Sequence, residues 1–267
     1  MSGLLLAIDG DSLAHRAYHA LPKSIRLNAI VGFSNFLMRL WDAEQPESVL
    51  VGWDTLEVPT YRHDALPGYQ SGREFERSIL EQLALLPGVV SSYGFLVGKG
   101  GGYEADDFLA AASSAWHGPV LVATSDRDAF QLVSDRVTVL QPVKGVSDLA
   151  RIGPDQVRER YGVEPQQVPD FIALRGDSSD HIPGAAGVGP KKAADILRQY
   201  GTLEQALGEG RFSAIADDLR LYRSIATMDA EAPLPKLGPT PPDWRRASQH
   251  AEELGLNALA KRLEERA

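Results

Sequence analysis

Acidic residues follow the apolar runs of this chain in a repeated way. Asp9 comes directly after an apolar run at 4–8, and Asp54 directly after one at 49–53. Asp126 lies three residues past a third run, at 120–123, and Asp128 two further on. A lone acid after a strand is commonly a loop residue or a helix cap. Three separate runs delivering acids to one sheet edge suggest a site, because open parallel sheets bind ligands at the carboxyl ends of their strands. The segment Gly100-Gly101-Gly102-Tyr103-Glu104-Ala105-Asp106-Asp107 adds three acids at a helix start. On its own that pattern only opposes the helix dipole. Asp177 and Asp180 stand three apart in Arg175-Gly176-Asp177-Ser178-Ser179-Asp180, a pattern that alone fits a capped polar loop.

These nine acids are hard oxygen ligands, unaccompanied by cysteine or a well-placed histidine. That donor set favours magnesium or manganese over zinc. Nine carboxylates are too many for one ion, so two ions roughly 4 Å apart are expected. Such a pair suits in-line attack of water on a phosphodiester, one ion activating the water and the other supporting the leaving oxygen. No nucleophilic triad is visible, and this chemistry needs none. The formal net charge of −9 would argue against a nucleic-acid substrate. Cations bound by the acids would reverse that charge locally. The plainer reading of the same number is a soluble acidic surface.

Two basic segments could meet phosphates. Gly184–Ala194 is a glycine-rich turn opening a helix, with Pro190 in its first turn and Lys191 and Lys192 behind it. Gly187 and Gly189 would expose backbone N–H groups there. It lacks the ending of a P-loop, and a tight turn between packed helices explains it equally well. The second group, Arg62, His63, Tyr69 and Arg73, mixes cations with an aromatic suited to base stacking. An ordinary surface helix with extended arginines is the commoner origin of such a group.

The elements that must position these residues change character once. Up to about residue 152, apolar runs alternate with helix-period segments carrying Ile30, Phe33, Leu37 and Leu40, then Phe75, Ile79, Leu83 and Leu86, then a stretch from Glu104 to about Trp116. A weaker run lies at 137–140, and a strand-like stretch at 93–97 precedes the acidic helix. Continuous apolar runs fit strands covered on both faces, and the alternation implies a doubly wound α/β layer. From 153 to 231 short helical segments separated by Gly and Pro take over. Residues 232–242 hold five prolines and read as an extended linker before a charged helix at about 247–266. The expected division is 1–152, 153–231 and 232–267.

With 43% apolar and 24% charged residues the chain is neither disordered nor fibrous. It has no cysteine, no run long enough to span a membrane and no signal-like start, which together lead us to expect a cytoplasmic protein.

In sequence order these segments resemble the 5′-nuclease family: the 5′→3′ exonuclease domain of bacterial DNA polymerase I and the flap endonucleases. The resemblance is carried by Ile8-Asp9-Gly10, Trp53-Asp54, Pro59-Thr60-Tyr61-Arg62-His63, Tyr69-Gln70-Ser71-Gly72-Arg73, Tyr103-Glu104-Ala105-Asp106-Asp107 and Thr124-Ser125-Asp126-Arg127-Asp128. It continues in Gln131–Asp135, Gly176–Gly184 and Gly187–Ala193, so it covers the chain from Leu4 to about Ala230. It implies a PIN-like parallel-sheet domain with a helical arch, plus a helix–three-turn–helix module that grips duplex DNA. It implies that all nine acids surround the metal ions; the convergence of acids on one sheet edge further leads us to expect Asp107 and Asp126 to be essential to catalysis. It also implies that the Gly187–Lys192 region binds the DNA backbone, often with a monovalent cation such as potassium. DNA with 5′ ends, flaps, nicks or overhangs is the expected partner, and a monomer the expected state. No polymerase region follows, so a stand-alone enzyme is expected.

Three departures bear on rate and substrate choice. The family pattern Tyr-Lys-x-x-Arg near the arch reads Gln70 at the lysine, with Tyr69 and Arg73 kept. The arch between Arg73 and Glu104 is short, and His181 stands where the family often has Asn. If Gln70 leaves a missing charge, Arg73 or Lys99 could supply it. The competing readings are a DNA-binding scaffold with a decayed site, a PIN-type ribonuclease, and a haloacid-dehalogenase-like phosphatase suggested by Asp9-Gly10-Asp11-Ser12.

Overall fold

The computed structural model describes residues 3–72, 74–144 and 148–267. In chain order the first part runs β1 (Leu5–Asp9), α1 (Gly10–Ala20), α2 (Asn28–Glu44), β2 (Ser48–Gly52), α3 (Tyr61–Ala65), α4 (Arg77–Ser92), β3 (Leu96–Gly98), α5 (Ala105–Ala115), β4 (Val120–Ala123), β5 (Val137–Lys144) and β6 (Asp148–Ile152). The sheet order is β3-β2-β1-β4-β5-β6. Pairing is parallel from β3 through β5, and β6 runs antiparallel on the edge of β5. The chain steps from β1 outward to β2 and β3, then returns through α5 to β4 on the other side of β1. The gap between β1 and β4 is therefore the switch point of the sheet, where such folds hold ligands.

The apolar runs are continuous because both faces are covered. Leu5, Ala7, Leu50, Val120, Val122, Val137 and Val139 join one core, beneath α5. Their neighbours Leu6, Ile8, Val49, Val51, Leu121, Ala123 and Leu140 join the other, beneath α1, α2 and α4. Successive strand residues point to opposite faces, so each needs a partner layer.

The helical part follows as α6 (Pro154–Tyr161), α7 (Val168–Arg175), α8 (Pro190–Tyr200), α9 (Leu203–Gly208) and α10 (Ala216–Ala226). Phe171, Leu174, Ile196, Leu197, Leu203 and Leu219 extend the α5-side core without a break. No helix or strand forms over 232–242. That segment is tied down as a strap: Thr240 Oγ1 accepts the Val49 N–H at 2.7 Å, and Thr240 N–H donates to the Glu47 carbonyl at 2.9 Å. Beyond it the single charged helix expected from the sequence is two, α11 (Trp244–Glu253) and α12 (Asn257–Glu264), broken at Gly255 with φ +71°. Both bury their apolar sides in the α2–α4 core.

Other differences have simple causes. The sequence gives no hint of α1, because Gly10-Asp11-Ser12 looks like a loop. The helix starts there because Asp9 caps it, accepting the Ser12 N–H at 2.9 Å. Phe75 lies outside α4 and is 42% exposed, so it is not a core residue. α4 lays Ile79, Leu83, Leu86 and Val90 on the core. Among the described residues, the expected arch segment between Arg73 and Glu104 holds α4 and β3, and α3 lies before it. Among the described residues, no helix is long and apolar enough to cross a membrane.

Candidate active site

Strand register aligns the acid-bearing ends. Asp9 is opposite Gly52, and Ile8 is opposite Ala123, so Asp9, Asp54 and Asp126 leave the sheet on one edge. Gly52 has no room for a side chain: a Cβ there would lie 2.5 Å from the Ala105 carbonyl. The glycine lets α5 start directly over β2, and Asp54 Oδ1 accepts the Ala105 N–H at 2.8 Å. The cleft so formed has a volume of about 390 Å³. Seven of the nine expected acids line it: Asp9, Asp54, Glu104, Asp106, Asp126, Asp128 and Asp180. Asp11 lines it too, its Oδ2 accepting the Asp54 N–H at 2.8 Å. Sequence reading passed over Asp11 as part of a phosphatase-like start.

The remaining two acids are placed differently. Asp107 is 0% exposed. Its Oδ1 accepts from Arg62 Nη2 at 2.7 Å, Tyr61 OH at 3.1 Å and the Asp229 N–H at 2.8 Å, while Oδ2 takes the Glu104 N–H at 3.0 Å. The expectation of Asp107 as a ligand facing the cleft is corrected. A step of one residue along a helix turns the side chain about 100°, so Asp106 and Asp107 cannot share a face. Asp177 is turned into its own loop. Its Oδ1 accepts the Ser179 N–H at 2.8 Å and its Oδ2 accepts from Arg175 at 2.9 Å. It lines a neighbouring groove, not the cleft. That loop is closed by Gly176 and Gly184, whose φ values are +77° and +70° and whose backbones touch.

Arg62 and Tyr69, expected at a DNA surface, are 1% and 4% exposed. Both line the cleft wall as nearly buried side chains, not as an exposed surface, with Tyr69 OH donating to Glu104 Oε2 at 3.0 Å. Thr60 Oγ1 donates to the other Glu104 oxygen at 2.7 Å. Gln70 does line the cleft, with a left-handed φ of 47°. Its Nε2 donates to Tyr69 OH at 2.8 Å and to Asp180 Oδ1 at 3.1 Å. Arg73 lies outside the described residues. Lys99 pairs with Glu57 at 2.9 Å and does not line the cleft. His181 has φ 57°, a conformation that Asn and His tolerate better than most residues, which accounts for the type found there.

Next to the cleft runs a larger groove of about 890 Å³. It shares Ser125, Asp126, Asp128 and Ser179 with the cleft and adds Arg127, Arg160, Arg175, Lys191 and Arg198. As a group the four arginines were missed: Arg127 and Arg175 sit inside acidic motifs, Arg160 and Arg198 on separate helices, and no spacing links them. Lys191 and Lys192 are exposed at the start of α8, whose cap is Gly189. Gly187, at φ +73°, has open space where a side chain would be.

The crowding of acids is visible in their protonation. Burial, and the charges of Asp54 and Asp126, push Asp9 up to about 7 against the pull of the Thr124 hydrogen bond. Burial, then neighbouring acids, also raises Asp11 and Asp128 well above the usual range. Burial raises Asp106 likewise, against the opposing charge of Arg62. Burial would raise Asp177, but its Ser179 and Arg175 partners hold it below. A raised carboxyl binds more protons folded than unfolded, so its contribution to stability is lost as pH rises from about 4 through about 7. In chelator, the protein is expected to melt lower at pH 8 than at pH 5.5, and Asp9→Asn to flatten that dependence by roughly the share of one carboxyl. Melting curves across this range check it, and an unchanged slope in Asp9→Asn would contradict the crowding.

Residues 4–162 match the family described as the 5′-3′ exonuclease, N-terminal resolvase-like domain, and residues 163–244 match the 5′-3′ exonuclease, C-terminal SAM fold. The chain belongs to the 5′-3′ exonuclease family. It is 41% identical over 210 residues to the DNA polymerase I of Mycobacterium bovis, covering 74% of this chain and 23% of that protein. It is 33% identical to the DNA polymerase I of Bacillus subtilis, covering 98% of this chain and 32% of that protein. The chain thus spans about a quarter to a third of these curated relatives. The T5 5′-exonuclease with bound zinc ions superposes with a TM-score of 0.72 at 18% identity, covering 98% of each chain. The catalytic core of Rad2 with DNA superposes at 0.60 and 15% identity, covering 99% of this chain and 90% of that one. For a 5′-3′ exonuclease family member, the fold is the expected one.

Proposed function

We propose that the protein is a structure-selective 5′→3′ exonuclease with flap-endonuclease capacity, hydrolysing DNA to leave 5′-phosphates. The observation that carries this reading is the junction of two surfaces. An acid-lined cleft opens into an arginine- and lysine-lined groove, and Asp126 and Asp128 belong to both. The groove suits a phosphate backbone, and the cleft suits the cations that one phosphodiester must meet to be cut. The T5 5′-exonuclease is described with divalent metal ions and the Rad2 core with DNA, which supports carrying both partners to this chain.

The donor set fits magnesium or manganese. All the cleft acids are hard oxygen donors, and burial, then neighbouring acids, raises Asp9 and Asp128 among them. Among the described residues, no three acids close on a single point. Magnesium tolerates that, since it keeps several waters and needs only one or two carboxylates beside a substrate phosphate. Asp9, Asp54, Glu104, Asp106, Asp126, Asp128 and Asp180 would hold the ions, which supply an activated water and a counter-charge for the leaving oxygen. The chain's own part is orientation. Thr124 Oγ1 and the Ser12 N–H fix both oxygens of Asp9, at 2.6 and 2.9 Å. Gly187, Gly189, Lys191 and Lys192 present backbone N–H groups and charge to phosphate, and a potassium ion at that turn belongs to the same reading. A monomer belongs to the same reading.

The test is a panel of end-labelled flap, nicked, overhang and single-stranded DNAs with magnesium, manganese or chelator. Cleavage from a 5′ end that needs metal supports the reading. Binding without cleavage on every substrate would favour the decayed scaffold instead.

Variants at three positions refine it. Lys191→Ala and Lys192→Ala should each lower the salt slope of duplex binding by roughly one unit with little loss of single-turnover rate. Unchanged slopes in both would remove α8 as the DNA grip. Gln70→Lys should raise the single-turnover rate several-fold, because a cation beside the scissile phosphate stabilises developing charge, an effect of up to a few kcal/mol. Gln70 already donates to Asp180, so lysine there would keep a partner while adding charge. If Gln70→Lys cuts no faster while Arg73→Ala is crippled, Arg73 fills that role.

A further inference from the structure

A buried cation stands behind the acid cleft. Arg62, on α3, meets three carboxylates at the start of α5: Nη1 lies 3.2 Å from Glu104 Oε2, and Nη2 lies 3.2 Å from Asp106 Oδ2 and 2.7 Å from Asp107 Oδ1. Its Nε donates to the Ile225 carbonyl at 3.0 Å, in the last turn of α10. Just beyond that helix, the Asp229 N–H closes on Asp107 at 2.8 Å. One guanidinium therefore joins two acids of the cleft to the helical part of the molecule, the part that contributes Asp180.

We propose that Arg62 is a positioning residue for divalent cations: it holds Glu104 and Asp106 in place and couples them to the docking of α10, without touching substrate. The proposal rests on the nuclease reading above. Arg62 lines the cleft wall at only 1% exposure, and its guanidinium nitrogens are already engaged by the three carboxylates and the Ile225 carbonyl. Glu104 and Asp106 are two residues apart at a helix start, and without a counter-charge they would repel or turn outward. A planar guanidinium engages several acceptors at once in fixed directions, which the single ammonium of lysine cannot do. Orienting partners of this kind commonly change metal affinity about 10–100-fold when altered.

The experiment is calorimetric titration of manganese into the whole chain, wild type against Arg62→Lys, with duplex affinity measured in chelator on the same samples. Arg62→Lys keeps the charge and loses the fork. The expected result is a Kd for manganese weakened about tenfold, with metal-free DNA affinity within twofold of wild type. An unchanged Kd for manganese overturns the proposal. So does a parallel loss of metal-free DNA affinity, which would make Arg62 a phosphate contact. Asp107→Asn is the second variant: it keeps the shape of the support but removes its charge and one of its two acceptor oxygens, and should weaken manganese in the same direction. Failure of both variants to fold would also overturn the proposal, since Arg62 would then hold up the fold and not tune the site. Wild type that binds no manganese and cuts nothing would sink the nuclease reading itself, an outcome distinct from a wild type that works and a variant that matches it.

Discussion

Asp126→Ala is expected to lose cleavage by a factor on the order of 10³ or more while the protein stays folded. Asp126 follows β4 at the switch point and belongs to both the cleft and the basic groove. Its side chain is exposed and accepts the Asp128 N–H at 2.9 Å, a bond whose loss on a surface loop costs little. Its charge, however, raises the protonation of both Asp9 and Asp128. Removing it relieves repulsion, so the variant should melt higher than wild type in chelator, and the difference should shrink with magnesium. Single-turnover cleavage with magnesium and melting in chelator measure the two halves separately. Near-normal turnover would end the case for a cation site on this edge.

Asp107→Ala should fail in a different manner, by unfolding. Asp107 is 0% exposed, and the variant strips Arg62 of its shortest ion pair. It also orphans the N–H groups of Glu104 and Asp229. Removing one partner of a buried pair costs about 3–5 kcal/mol, and Glu104 and Asp106 still face the guanidinium, so the lower end applies. A shift of that size in the denaturation midpoint would be plain. A stable variant, less than about 1 kcal/mol from wild type, with cleavage abolished would restore Asp107 to the chemistry.

These two acids mark where sequence reading works and where it stops. That acids gather at the ends of strands is legible, because apolar runs covered on both sides announce parallel strands and a parallel sheet has one ligand edge. The order β3-β2-β1-β4 is one that a doubly wound layer allows, but the alternation alone does not fix it. Which way a side chain faces is another matter. Asp106 and Asp107 look equivalent as letters and both meet Arg62, yet the helix turns one toward the cleft and buries the other completely. Arg62 and Tyr69 read as a basic, aromatic surface, because nothing local reveals that α10 will close over α3. β6 was missed since a five-residue edge strand with Asp148 and Arg151 lacks an apolar run. The arginine groove depends on distances between elements far apart in the chain, so no spacing announces it.

The strap at Thr240 bears on how the molecule assembles. It carries α11 and α12 back to the face built by α2 and α4, where Ala247, Ala251, Leu256, Leu259 and Leu263 complete the packing around Ile30, Leu86 and Val90. Those contacts join residues more than 150 positions apart. During synthesis, the layer begun by the first strand and helices thus waits for the final two helices, while the opposite layer can already close around α5 and the helical part. Contacts this distant in sequence are slow to form, so the earliest-made face of the sheet is the last to be sealed.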